Sequence, residues 1–144
     1  MHSCYERALK LLALAEHCTR GLERKLLRRG YDEREVTLTL SRLTDEKIID
    51  DRRFADLWIE FRLQRKDEGR RRLAEGLRRR GIDREPADEA ARAAAATDKY
   101  RACLLRAYGK AREACGGDDA AAVHYLLQKG FTTGEIRACR EDSE

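Results

Sequence analysis

Apolar residues recur along this chain at three- and four-residue steps and never alternate over the length of a strand, which predicts helices throughout and no sheet. Residues 4–17 place Tyr5, Leu9, Leu12 and Ala13 on one predicted face. Residues 51–66 place Phe54, Leu57, Trp58, Phe61 and Arg65 together, and residues 98–113 do the same with Tyr100, Leu104, Ala107 and Tyr108. After each of these comes a segment with a recurring signature. Leu22 to Asp32, Leu73 to Asp83 and Ala122 to Thr132 align on Gly30, Gly81 and Gly130, which stand 51 and 49 residues apart. A period of this size predicts a modular array.

The signature has a physical reading. Cationic residues close a helix at the negative end of its dipole, and a glycine just beyond takes the left-handed conformation of a Schellman turn. That turn wants an apolar contact across it, and Tyr31 with Leu26, Ile82 with Leu77 and Phe131 with Leu126 supply it. A new helix starts at once. Asp32 with Glu35, and Thr132 with Glu135, read as capping boxes, while Asp83 is followed by Pro86 in a first turn that tolerates proline. The prediction is an all-α chain of about nine helices in three tandem three-helix, helix-turn-helix-like repeats, elongated and curved. Their expected bounds are 4–47, 48–96 and 97–142. Cys115 to Asp118 marks the expected flexible joint.

Charge changes the picture next. Of the 144 residues, 40% are charged, which thin helices tolerate because each buries only one stripe. Residues 62–84 hold ten Lys or Arg against four acids, whereas 113–144 hold three against seven. A basic middle suits an anionic partner. The expected binding residues are Arg70, Arg71, Arg72, Arg78, Arg79 and Arg80, followed by Lys25, Arg28 and Arg29. Phe54, Trp58 and Phe61 could stack on bases, but their spacing assigns them to the core.

Several classes drop out. No apolar run reaches the roughly 20 residues of a membrane span, and the start of the chain lacks a secretion signal. A cytoplasmic protein with five free thiols is expected. His and Cys never reach metal-ligand spacing, and no nucleophile elbow, phosphate loop or dinucleotide fingerprint occurs. Neither a cofactor nor catalysis is expected. A major-groove reader would need polar readers at the start of its recognition helix, and Glu33, Glu35, Glu85 and Glu135 stand there instead.

The run Ile48-Ile49-Asp50-Asp51-Arg52-Arg53-Phe54-Ala55, with Phe61-Arg62, Gly69-Arg70-Arg71-Arg72-Leu73 and Leu77-Arg78-Arg79-Arg80-Gly81-Ile82-Asp83, resembles the RecX family. Ala8-Leu9, Leu22, Lys25-Leu26 and Arg29-Gly30-Tyr31 resemble its first unit. The resemblance runs from about residue 5 to 140 and is strongest over 22–85. It implies a monomeric, non-enzymatic modulator, in most members an inhibitor, of the RecA recombinase. Such a protein lies in the groove of the RecA filament on single-stranded DNA, and some members touch DNA directly. Asp67-Glu68 before Gly69, and the acidic, Cys-containing third unit, depart from the family pattern. Two other readings stay open: a helix-turn-helix-like DNA-binding protein acting without RecA, and a helical adaptor for an unknown partner.

Overall fold

A computed structural model describes residues 2–142. Among these residues there are nine α-helices and no strand: α1 Cys4–Leu14, α2 Thr19–Arg28, α3 Glu33–Asp45, α4 Asp51–Arg65, α5 Arg70–Arg79, α6 Arg84–Ala95, α7 Asp98–Ala114, α8 Asp119–Gln128 and α9 Thr133–Asp142. They form three triplets with one layout. The second helix of each triplet starts at Thr19, Arg70 and Asp119, and the third at Glu33, Arg84 and Thr133, the same 51- and 49-residue offsets as the glycines.

The glycine turns are Schellman closures. The N–H groups of Tyr31, Ile82 and Phe131 donate to the carbonyls of Leu26, Leu77 and Leu126 at 3.4, 3.0 and 3.2 Å. The φ angles of Gly30, Gly81 and Gly130 are +93°, +107° and +97°. The Thr132–Glu135 capping box closes in both directions: the Glu135 N–H donates to Thr132 Oγ1 at 3.2 Å and the Thr132 N–H to Glu135 Oε1 at 2.9 Å. Asp32 occupies the N-cap of α3 without a side-chain bond, and the Glu35 carboxylate, which would close the other half of the box, accepts instead from the Cys4 N–H at the start of α1.

Two cores result. Cys4, Ala8, Leu11, Leu22, Leu26, Val36, Leu40, Leu43 and Ile49 form the core of the first triplet. The buried stripe of α1 is therefore Cys4, Ala8 and Leu11, with Tyr5 and Leu12 at its edge, rather than the face predicted through Leu9 and Ala13. The second and third triplets share a single core running from Phe54 through Leu73, Leu77, Tyr100 and Leu104 to Leu126, Phe131 and Ile136.

The joints between triplets follow one rule: the glycine turn of one triplet docks on the first turn of the second helix of the triplet before it. At the second joint the Gly69 and Arg71 N–H groups donate to the carbonyls of Lys129 and Gly130 at 2.8 and 3.1 Å. A Cβ on Gly130 would lie 2.7 Å from Arg72 N. At the first joint the Cys18 thiol donates to the Arg80 carbonyl at 3.0 Å, and a Cβ on Gly81 would lie 2.7 Å from that of Arg20. Asp67 and Glu68 also serve this packing. Asp67 bonds Arg106 and Lys110 of α7, each at 3.0 Å, and Glu68 pairs with Arg62.

One residue assigned to the core lies outside it. Phe54 is 9% exposed and Trp58 is half-buried, but Phe61 is 53% exposed. The side of α4 turned into the shared core is the row Ala55, Ile59 and Leu63. Phe54 also belongs to that core and Trp58 packs against it, both of them facing the first joint as well, and Phe61 lies further along α4.

Candidate nucleic-acid and partner interface

The first joint leaves a groove of about 660 Å³ between α2 on one wall and α4 and α5 on the other. Six cations line it: Arg24, Lys25 and Arg28 from α2, and Arg62, Arg79 and Arg80 from the second triplet. Glu16 is its one carboxylate, and that group pairs with Arg53 at 3.4 Å. Elsewhere some arginines pair with acids along and between helices, as in Arg42–Glu46 and Arg52–Asp56 at 2.8 and 3.0 Å, while others, such as Arg34 and Arg78, form no ion pair among the described residues. Here Arg24, Lys25, Arg28 and Arg80 form no ion pair among the described residues. Arg79 pairs with Glu75 and Arg62 with Glu68.

The floor of the groove is aromatic and small. The Arg62 and Arg80 guanidinium groups lie over the Trp58 ring, 5.3 and 5.7 Å from its centre, in cation–π contact. Gly76 makes room for that ring, since a Cβ there would come within 2.4 Å of it. His17 is buried beside them. Its Nδ1 lies 2.8 Å from the Ala15 carbonyl and its Nε2 lies 2.7 Å from Lys25 Nζ. This pattern assigns the neutral ring, donating through Nδ1 and accepting at Nε2 from the ammonium. Burial, and then the Lys25 charge, hold the His17 pKa below its ordinary value against the opposing Ala15 bond.

The residues expected from the sequence divide between places. Lys25, Arg28, Arg79 and Arg80 converge in the groove, and Arg29 lies just outside it with Leu11. Arg70 and Arg71 line a separate hollow with Asp88 and Arg92, and Arg72 packs on the Gly130 turn. Arg70 is also engaged: its N–H donates to the Tyr100 hydroxyl at 2.9 Å and its guanidinium faces Glu135 at 3.9 Å. Arg78 is exposed on the outside of α5. The two arginine runs of α5 are thus separated by roughly 10 Å or more of helix at 1.5 Å per residue and form no single patch. Arg24, Arg62 and His17 were missed. The signal for Arg24 was its spacing from Arg28, four residues and one turn away on the same face.

No described helix is long and apolar enough to cross a membrane. Models of the RecX first and second three-helix domains match residues 4–43 and 50–90. The regulatory protein RecX of Halorhodospira halophila is 34% identical over 135 residues, 92% of this chain and 83% of that protein. RecX of Chlorobaculum tepidum is 30% identical over 138 residues, covering 94% and 84%. RecX of Mycobacterium sp. strain KMS is 42% identical over 77 residues, 54% of this chain and 42% of that protein. The crystal structure of RecX from Lactobacillus salivarius superposes with a TM-score of 0.85 at 20% identity, over 96% of this chain and 93% of that one. A second RecX crystal structure gives 0.82 at 19% identity, over 96% and 70%. The solved structures establish the fold, and the sequence relatives establish the lineage: this chain belongs to the RecX family of regulatory proteins.

Proposed function

We propose that this protein modulates the RecA recombinase, as an inhibitor, by lying along the RecA filament on single-stranded DNA, and that it performs no chemistry of its own. It acts as a monomer in the cytoplasm, built from units 4–47, 48–96 and 97–142. The observation that carries the reading is the basic groove of the first joint. Four cations from two walls converge there without carboxylate partners. Like charges held together cost stability unless an external anion offsets them. Family membership supplies the anion, a filament of protein and DNA. Arg24, Lys25, Arg28 and Arg80 are the first contacts, with Arg29, Arg78, Arg79, Arg71 and Arg72 extending the basic surface and adding weaker contacts by avidity. Acidic residues in the first turns of α3, α6 and α9 favour this over base reading in a major groove.

The experiment is the ATPase rate of RecA from the same organism on single-stranded DNA, with the protein titrated in. The expected result is a fall at substoichiometric protein. Reversing Arg24, Arg28 and Arg80 to Glu together should raise the amount required by well over tenfold at low salt, while the melting temperature shows that the fold survives. No fall and no RecA binding at large excess overturns the reading. Sequence-preferring, steeply salt-dependent binding to naked DNA would then leave a DNA-binding protein. No DNA binding either would leave an adaptor.

A further inference from the structure

Of the three histidines, His17 alone is buried, and it lines the basic groove. Both of its ring nitrogens are committed. Nδ1 meets the Ala15 carbonyl and Nε2 meets the Lys25 ammonium. A carbonyl only accepts and an ammonium only donates, so the arrangement needs a proton on Nδ1 and a lone pair on Nε2. A second proton would turn Nε2 into a donor aimed at a donor, with two positive charges 2.7 Å apart. The Nδ1 bond survives that change and the Lys25 bond does not.

The surroundings decide where Lys25 goes. Glu16, beside His17 in the link from α1 to α2, is paired with Arg53 of α4. Asp51, at the start of α4, accepts from the Thr19 N–H and hydroxyl at 2.7 and 3.0 Å. The Cys18 thiol is spent on the Arg80 carbonyl, and burial raises its pKa, so it stays uncharged. The other charged groups of the lining are cations: Arg24 and Arg28 on α2, with Arg62, Arg79 and Arg80 opposite. We infer that His17 is a proton-controlled tether for Lys25. With the ring neutral the ammonium is held back against it. With the ring protonated the ammonium is released into the groove, beside a further positive charge on the ring. The groove therefore takes anionic ligands more tightly at mildly acid pH. The inference rests on reading the groove as an anion site and adds how that site is regulated.

The sign follows from linkage. In the empty groove burial, and then the Lys25 charge, lower the His17 pKa against the Ala15 bond and Glu16. An anion close to the ring favours the charged form and moves the pKa up. A group whose pKa is higher in the bound state takes up a proton on binding, so affinity rises as pH falls through the interval between the two values. One unit, the low end of what a close opposite charge produces, makes the rise about tenfold.

The probe is a persulfated maltotetraose, whose own charge does not change with pH over the range. Binding is followed through Trp58, the chain's one tryptophan and part of the groove lining. At fixed ionic strength the affinity should be about tenfold higher near pH 5.5 than near pH 7.5. His17→Gln should abolish the difference, and Glu16→Gln should keep it. The His17 ring, titrated by NMR, should show a higher pKa in the probe-saturated protein than in the free one. Lys25→Met, which removes the neighbouring charge, should raise the pKa of the free protein and shrink the pH effect on binding. A His17 pKa unmoved by saturation overturns the proposal, as does full pH dependence in His17→Gln or its loss in Glu16→Gln. Probe binding by the parent that ignores pH removes the tether and leaves the anion site. No binding at either pH removes both.

Discussion

Gly69→Ala tests the second joint directly. Gly69 has φ −88° and ψ 174°, a conformation open to any residue, so backbone preference plays no part. The obstacle is approach. An added Cβ would lie 2.3 Å from Phe131 N, 2.4 Å from Gly130 C and 2.5 Å from Gly130 O, all backbone atoms that no rotamer change can move aside. To reach ordinary contact the turn must retreat by about 1 Å, which breaks the Gly69 and Arg71 bonds to Lys129 and Gly130. Overpacking costs about 1–3 kcal/mol, and two lost backbone bonds about 0.5–1.5 kcal/mol each. The total, about 2–6 kcal/mol, is a large share of the roughly 5–15 kcal/mol that holds a domain together. At about 2–4 °C per kcal/mol for a chain of this size, the melting temperature should fall by roughly 10 °C. Because the second and third triplets share one core, both should melt together. Gly109→Ala, inside α7 with no atom within 4 Å, is the control and should hold or raise stability by about 0.5–1 kcal/mol. A Gly69→Ala protein that melts within a degree or two of the parent refutes the tight joint.

Two further outcomes follow from buried polar groups. Tyr100 is 2% exposed; its hydroxyl donates to Glu135 at 2.9 Å and accepts from the Arg70 N–H at 2.9 Å, and burial with the nearby Glu135 charge pushes its phenol well above the ordinary range. Tyr100→Phe should cost about 1–3 kcal/mol in urea denaturation by leaving the Arg70 N–H unsatisfied and removing one of the donors to Glu135 Oε1, and an unchanged midpoint would show that water replaces the hydroxyl. His17 is held neutral with a lowered pKa, chiefly by burial, so between its folded pKa and the ordinary value near 6.5 the unfolded chain binds more protons. The urea midpoint of the parent should therefore decline as pH falls from about 7 to 5, and His17→Gln should flatten that decline. Asp67, whose pKa burial raises but its bonds to Lys110 and Arg106 lower on balance, adds its own loss only below about pH 4 and stays out of the window.

The triplet plan was legible because its signals are local. A glycine after cationic residues, with an apolar residue next, specifies a Schellman turn without reference to the rest of the chain, and the turns at Gly30, Gly81 and Gly130 formed where expected. The Thr132–Glu135 box formed for the same reason. The matching box at Asp32 did not, because Glu35 had a tertiary competitor in the Cys4 N–H that no spacing rule reveals. The reading of Phe54, Trp58 and Phe61 as core held for Phe54 and in part for Trp58, and failed for Phe61. α4 packs chiefly through the row Ala55, Ile59 and Leu63, and the neighbouring row is covered at Phe54 and Trp58 but not at Phe61. Which cations converge is likewise not legible from sequence distance. Arg72 is close to Arg79 and Arg80 in sequence, yet it packs on the second joint while they line the groove at the first. Arg24 and Arg80 are far apart in sequence and face one groove.

One register position distinguishes the first joint from the second. Cys18, Gly69 and Asp118 are the N-caps of α2, α5 and α8 and hold equivalent places in the three triplets. Gly69 has no side chain, so the incoming turn settles backbone to backbone and the two triplets fuse into one core. At Cys18 the thiol stands between the helix and the Arg80 carbonyl, with Gly21 leaving space for the sulfur. The first triplet inserts that side chain into the shared core, adds polar links such as Thr19 to Asp51 at 2.7 Å and Arg20 to Asp83 at 3.3 Å, and otherwise keeps a core of its own. The groove lies beside this joint, between α2 and the face of α4 and α5. Asp118 satisfies the start of α8 itself, its carboxylate accepting from the Ala121 N–H at 3.3 Å, the role that a docked turn plays elsewhere. A single position, occupied by cysteine, glycine and aspartate in turn, thus makes a joint through a thiol, a joint through backbone alone and a helix that caps itself.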